Sequence, residues 1–338
     1  MKRYTPTMWL FLRKIFLLFL IFSALSVFVV FVSIAWEAFS VDTSPRWGAT
    51  ISSKYAEELG VDWKQVFNES IDDLGIRLYR VPVYWDRVEK TQGEFDWTEY
   101  DWIVKQSEQK NIELVFALGY RVPRWPECHS PDWVDTLSEE EKQMAILNLL
   151  KSSVDHFKSS PAIIRWQVEN EPFLAVFGEC PPLDEIFYRQ EIEFVKSLDS
   201  RPIQVTESGE LSAWLNGAAV ADILGVSMYR TVYNPFIGYT QYPLSGKFYR
   251  RKAQYIRNLV DDVIISELQA EPWGPDVYQE NGDERILTPA VFGEAIGVAQ
   301  RTGFSEIHFW GVEWWWMVKE KYEDPRYWEI VKQTVQSN

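Results

Sequence analysis

The sequence predicts an α/β protein: one (β/α)8 TIM barrel preceded by one N-terminal transmembrane helix. Three observations predict it. Strand-like and helix-like segments alternate eight times over about 290 residues, 47–338, which suits a single closed barrel of parallel strands. No Gly-rich phosphate turn follows an early strand, as it would in a doubly wound open sheet. Ahead of the barrel, Ile15 to Trp36 is 22 residues without a charge.

That uncharged run would span a bilayer core of about 30 Å at a rise of about 1.5 Å per residue. Lys2, Arg3, Arg13 and Lys14 flank it with no acid among residues 1–14, which predicts that the N-terminus stays inside. A cleaved signal peptide is the alternative, but its apolar region usually runs only about 7–15 residues. Ala35-Trp36-Glu37-Ala38 is also a poor cleavage site. The expected organisation is a cytoplasmic basic flank (1–14), a transmembrane signal anchor (15–36), a linker (37–46) and an extracytoplasmic barrel domain (47–338).

The strands read as Gly48–Ser52, Ile76–Val83, Glu113–Leu118, Ile163–Val168, Pro202–Glu207, Ile223–Met228, Val263–Glu267 and Glu306–Trp310. Helical patterns lie between and after them: Asp62–Leu74, Trp97–Gln109, Ser138–Phe157, Leu183–Leu198, Leu211–Ala221, Lys247–Val260, Thr288–Thr302 and Pro325–Val335. Asp62 is the expected N-cap of the first, and Ser138 with Glu141 forms a capping-box pattern. The segments following most strands are long and aromatic, whereas the turns preceding strands are short, such as Leu74-Gly75. This asymmetry predicts a deep cleft on one face.

Composition narrows the chemistry. Net charge is −15 for the chain and −18 for residues 41–338, which argues against nucleic acid and anionic lipid as partners. Three histidines and two cysteines argue against a metal site, and nothing calls for a cofactor. Cys128 and Cys180 fall in the third and fourth loops and would pair in an oxidising compartment, the alternative being two unrelated thiols. Seventeen tryptophans exceed what a core of this size needs. Those read as loop residues (Trp85, Trp125, Trp133, Trp273, Trp310 and Trp314-Trp315-Trp316) are candidates to stack on sugar rings. Oligomeric state is left open.

Two strand ends carry the chemistry. Ile163–Val168 runs into Glu169-Asn170-Glu171-Pro172, where the proline ends the ladder. Val263-Ile264-Ile265-Ser266 ends in Glu267. Two carboxylates at the C-terminal ends of parallel strands are what glycosidic-bond cleavage needs, one as acid/base and one as nucleophile.

On these motifs the chain resembles clan A of the glycoside hydrolases, the retaining (β/α)8 enzymes with cellulase-like, β-mannanase-like and β-galactosidase-like families. The resemblance covers residues 47–338. It implies Glu171 as acid/base and Glu267 as nucleophile. Arg80, in Arg80-Val81-Pro82-Val83-Tyr84-Trp85, resembles the second-strand arginine that supports the nucleophile. Tyr229 resembles the sixth-strand tyrosine that hydrogen-bonds it, and Trp310 the eighth-strand tryptophan under the sugar. Where some clan families have a histidine near the third strand, this chain has Leu118-Gly119-Tyr120-Arg121, with His129 further along the loop.

The roles impose physical demands. Glu171 must be held protonated, by burial and a neighbouring carboxylate, while Asn170 would bond a sugar hydroxyl. Glu267 must stay ionised, held by Arg80 and Tyr229; Glu271 is the rival nucleophile. Arg77 competes with Arg80, and an odd offset of three puts the two on opposite faces of the strand. Glu207 and Glu313 are candidate hydroxyl binders, each also readable as a loop charge. The expected function is a membrane-anchored retaining β-glycosidase acting on an oligo- or polysaccharide. The alternatives are a transglycosylase on envelope or exported polysaccharide, an inactive carbohydrate-binding barrel, and a metal-dependent hydrolase, which the scarcity of histidine disfavours.

Overall fold

The structure is a computed structural model in which residues 44–234, 236–273 and 287–337 are described, together with Phe16. The chain divides into two units, Met1–Asp42 and Thr43–Asn338. The expected anchor at 15–36 lies, apart from Phe16, outside the described residues. Among the described residues no helix is long and apolar enough to cross a membrane.

Eight parallel strands close a barrel. They are β1 (Arg46–Thr50), β2 (Leu78–Pro82), β3 (Glu113–Leu118), β4 (Ile163–Val168), β5 (Ile203–Ser208), β6 (Ile223–Met228), β9 (Asp262–Gln269) and β10 (Glu306–Trp310). The ring closes where β1 pairs with β10. The third, fourth, sixth and eighth strands match the sequence reading in both bounds. Between β6 and β9 a hairpin, β7 (Thr231–Asn234) with β8 (Gly238–Gln241), was not foreseen. Its short polar strands carry too little apolar alternation to register as sheet.

The helices follow the expected order, with Asp62 capping Trp63–Asp72 and a full Ser138/Glu141 capping box opening Glu139–Phe157. One reading needs correction. Trp314, Trp315 and Trp316 are not loop residues but belong to a helix, Val312–Lys321, and all three are buried. Trp85 likewise sits buried on a helical turn, Trp85–Val88. A helix buried nearly all round has no apolar stripe to reveal it. These indoles fill core volume; Trp125, 56% exposed, remains available at the surface.

The apolar core lies between barrel and helices, with Phe116, Trp166 and Val168 on the outward faces of their strands. The barrel interior is polar instead. A hydrogen-bonded chain crosses it: Glu306 accepts from Arg165, Arg165 Nε donates to Gln204, Gln204 to Gln167, and Arg80 Nε to Gln167. Buried polar groups are tolerated when paired in this way. The chain of partners rises from the N-terminal end of the barrel to Arg80, just beneath the cleft.

Candidate active site

A cleft of about 780 Å³ opens at the C-terminal ends of the strands, lined by Glu171 after β4, Ser227 and Tyr229 at the end of β6, Glu267 on β9 and Trp310 on β10. Local backbone explains why these side chains converge. On β9 the register slips: Val226 pairs with Ile265, but the next residue, Ser227, pairs with Glu267. Ser266 is the extra residue of a bulge, which re-aims the side chain that follows it. Ser266 faces Gly225, whose missing Cβ would sit 2.7 Å from that of Ser266. Glu267 then also turns toward the interior. At the end of β4, Glu169 and Glu171 have φ of +57° and +41°, a region costly for side-chain-bearing residues. Surrounding bonds hold them there. The Glu169 carboxylate accepts from Tyr120 N (2.7 Å) and Arg121 N (2.6 Å), and Glu171 N donates to Thr206 Oγ1 (2.8 Å). Gly119 leaves room for this clamp, since a Cβ there would lie 2.1 Å from Glu169 Oε1.

The two carboxyl groups sit in different electrostatic settings. Glu267 accepts from Arg80 Nη1 at 2.6 Å and from the Tyr229 hydroxyl at 3.1 Å. Arg80 is fully buried and also bonds Gln167 and Asn170, so its fork is fixed on three sides. Burial, then the Glu267 charge, pushes the Tyr229 phenol well above its ordinary value, so it stays a donor. Glu171 is 6% exposed and its one described side-chain partner is the neutral Ser227 hydroxyl at 2.6 Å. Burial first, and the Glu267 charge second, push the Glu171 carboxyl up to about 8. Arg77 points away, donating to the carbonyls of Ile71 and Ile76.

Asn170 is bonded on both sides of its amide: Oδ1 accepts from Arg80 and Thr206, and Nδ2 donates to Glu127 Oε2 at 2.8 Å. Trp310 lines the cleft, but the Arg124 guanidinium lies 4.1 Å from its ring, and Tyr55 lies 3.7 Å from the same guanidinium. Arg124 in turn bonds Glu271 and Glu313. Glu313 is thus buried behind the cleft, accepting also from Ser52 N, and is not among the cleft-lining residues. Glu271 lines the cleft with one oxygen tied to Arg124. Glu207 does not join the site. Its neighbour Thr206 faces Asn170 inside the barrel, so the pleat sends Glu207 outward, where it accepts from Gly217 N and Ser212 Oγ.

Cys128 and Cys180 form a disulfide with Cα atoms 5.5 Å apart, joining the loops after β3 and β4. It braces the turn 121–128, where Val122 N bonds Glu127 O. His129 is buried outside the cleft between Lys54 and the Arg124 carbonyl, and burial lowers it to about 4, so it is neutral.

The site includes residues that sequence reasoning passed over: Arg124, Glu127, Glu210 and Ser227. Glu127 is buried at the cleft floor and pushed up to about 7, chiefly by burial, with the Glu267 charge adding to it. Glu210 is likewise pushed up to about 7, chiefly by burial, and accepts from Tyr249 Oη and Tyr229 N. The available signal was a run of charges, Arg124 and Glu127, inside an aromatic and disulfide-bearing loop.

No protein-family model matches the chain. A β-galactosidase, BgaA, from Clostridium cellulovorans is 21% identical over 163 residues, covering 42% of this chain and 25% of its own length. The chain thus spans about a quarter of that relative. Xylanase 10B from Thermotoga maritima superposes with a TM-score of 0.57 at 15% identity, covering 86% of this chain and 96% of the xylanase. An endo-β-1,4-xylanase from Gloeophyllum trabeum gives 0.55 at 13%, covering 88% and 99%. Endo-glycoceramidase II from Rhodococcus sp. gives 0.54 at 14%, covering 80% and 75%. At such identities the likeness is one of fold: the chain shares its (β/α)8 barrel with these glycoside hydrolases.

Proposed function

We propose that the protein is a retaining β-glycosidase in which Glu267 is the nucleophile and Glu171 the acid/base. One observation carries the reading. Two carboxyl groups meet in one cleft, one ion-paired to a buried arginine and one held protonated near neutral pH by burial and its neighbour's charge. Environments that push two carboxyls apart define a base and an acid.

In the first step a Glu267 oxygen bonds the anomeric carbon as the C–O bond to the leaving group breaks, and the Glu171 proton passes to the departing oxygen. As the ester forms, Glu267 gives up the negative charge that Arg80 and Tyr229 had held, and Glu171 is left as carboxylate. It then takes a proton from water as the water oxygen attacks the anomeric carbon, freeing Glu267. A sugar hydroxyl in place of water would give transglycosylation at the same residues.

The substrate is a carbohydrate, and the barrel is carried outside the membrane by the 15–36 segment; the basic flank and uncharged run support this placement. The test is trapping with an activated 2-deoxy-2-fluoro-β-glycoside. An ester on Glu267 and retained product configuration are expected. An inverted product would overturn the assignment of roles, and an ester on Glu271 would move the nucleophile.

A further inference from the structure

Tyr229, whose hydroxyl donates to Glu267, stands one residue past the end of β6. The ladder between β5 and β6 ends at the Ser208–Ser227 pair, short of Tyr229. The Tyr229 N–H donates instead to a side chain, Glu210 Oε1, at 3.1 Å. A backbone N–H withdrawn from water needs an acceptor, and here a carboxyl supplies it. The next two N–H groups, of Arg230 and Thr231, both donate to Gln269 Oε1, at 3.0 and 2.9 Å. Two side chains, one from the loop after β5 and one from β9, thus fix the backbone on which the Tyr229 phenol is mounted.

Glu210 is itself held from behind. Its Oε1 also accepts from the hydroxyl of Tyr249, which is fully buried on the helix Gly246–Ile256 and is not among the cleft-lining residues. One turn along that helix, Lys252 donates to the carbonyls of Gly209 (2.7 Å) and Ser212 (2.6 Å). The Trp214 indole donates to the Ser208 carbonyl at 2.9 Å. On its other side the loop packs so closely on β6 that a Cβ on Gly209 would lie 1.9 Å from the Ser227 carbonyl oxygen. The segment carrying Glu210 is therefore wedged between β6 and the helix.

We propose that Glu210 is a positioning residue for the nucleophile: by holding the Tyr229 backbone it sets the 3.1 Å hydrogen bond between the Tyr229 hydroxyl and Glu267. The catalytic consequence rests on the glycosidase reading. Glu210 lines the cleft, so direct contact with substrate is the rival role. The two roles differ in one respect. A positioning residue works through the Tyr229 hydroxyl and loses its effect once that hydroxyl is gone, whereas a substrate contact survives the loss.

The test is a double-mutant cycle in the full-length protein, with 2,4-dinitrophenyl β-glucoside and β-galactoside as substrates. Glu210→Ala should lower kcat between about tenfold and about a hundredfold with KM little changed, as a misplaced group beside the reacting atoms does. Glu210→Gln keeps the acceptor oxygen and should recover most of the loss. In a Tyr229→Phe background, Glu210→Ala should cost no more than about twofold further. Tyr249→Phe loosens Glu210 from outside the cleft. It should give a smaller loss that also vanishes with Tyr229→Phe, and it serves where Glu210→Ala folds poorly. Wild-type kcat in Glu210→Ala, or a loss that multiplies with that of Tyr229→Phe, overturns the positioning role and leaves the glycosidase reading standing. Carbon-13 NMR of protein labelled at the tyrosine ζ-carbon needs no turnover, and Tyr229→Phe assigns the resonance. Glu210→Ala and Tyr249→Phe should both shift the Tyr229 signal. No turnover of any aryl β-glycoside and no covalent label overturns the glycosidase reading; an unmoved Tyr229 signal overturns the link from Glu210 to Tyr229.

Discussion

Replacing Glu267 by glutamine should change the titration of a different residue, Glu171. Burial is the larger cause of the raised Glu171 value and survives the substitution; the Glu267 charge is the second cause and does not. A retaining mechanism requires the two carboxyls about 5–5.5 Å apart. At an effective dielectric of about 20, like charges at that separation repel by roughly 3 kcal/mol, or about two pH units. Glu171 should therefore fall from about 8 to about 6. The assay is carbon-13 NMR of protein labelled at the glutamate δ-carbon, with Glu171→Gln used to assign the resonance. Loss of Glu267 strands the buried Arg80 charge and should cost stability. Wild-type protein trapped as its 2-fluoroglycosyl ester removes the same charge and serves as the second measurement. A Glu171 titration that stays near 8 in both would show that Glu267 does not act on it, and the paired-carboxyl mechanism would fail.

Because Glu171 must donate its proton, kcat/KM should fall as pH rises through about 8; Glu171→Ala should lose that limb and keep activity only on activated aryl glycosides, with azide rescuing turnover as a β-glycosyl azide. The same shift has a stability consequence: between about 4.5 and about 8 the unfolded chain ionises Glu171 while the folded chain does not, so stability is lost as pH rises across that window. Thermal melts of Glu171→Gln against wild type should diverge from pH 5 to pH 8, with the variant the more stable at the upper end. Removing the disulfide with Cys128→Ser and Cys180→Ser opens a loop of sequence separation 52, worth about 4 kcal/mol by loop-closure entropy. Hydrogen exchange should then rise in segments 121–129 and 172–182 more than in β3 and β4, and uniform exchange would contradict a rim brace. Protease added to intact cells or spheroplasts should digest the barrel; protection until lysis would reverse the proposed topology.

The strand ends were legible in the sequence because parallel barrel strands are short apolar runs closed by turn residues. The Asn170-Glu171-Pro172 ending therefore stood out, as did Glu267, although its strand runs on to Gln269, and the alternation of the pleat separated Arg80 from Arg77. The Cys128–Cys180 pairing was an expectation from neighbouring loops and an oxidising compartment, and the structure forms it. What the chain did not reveal depends on contacts far apart in sequence or on backbone irregularities. Arg124 meets Glu271 and Glu313 across 147 and 189 residues, and its place over Trp310 is fixed by that pairing rather than by any local period. Glu207 turns outward and Glu127 inward because of strand pleat and a disulfide-braced turn. The bulge at Ser266 aims Glu267, and a bulge is a property of two paired strands, invisible in either alone. The helix Val312–Lys321 escaped because complete burial erases the polar face that marks a helix in sequence. Sequence determined the eight barrel strands and the carboxyls near their C-terminal ends; tertiary packing decided which charges face one another, because low-dielectric pairing is set by distance in space.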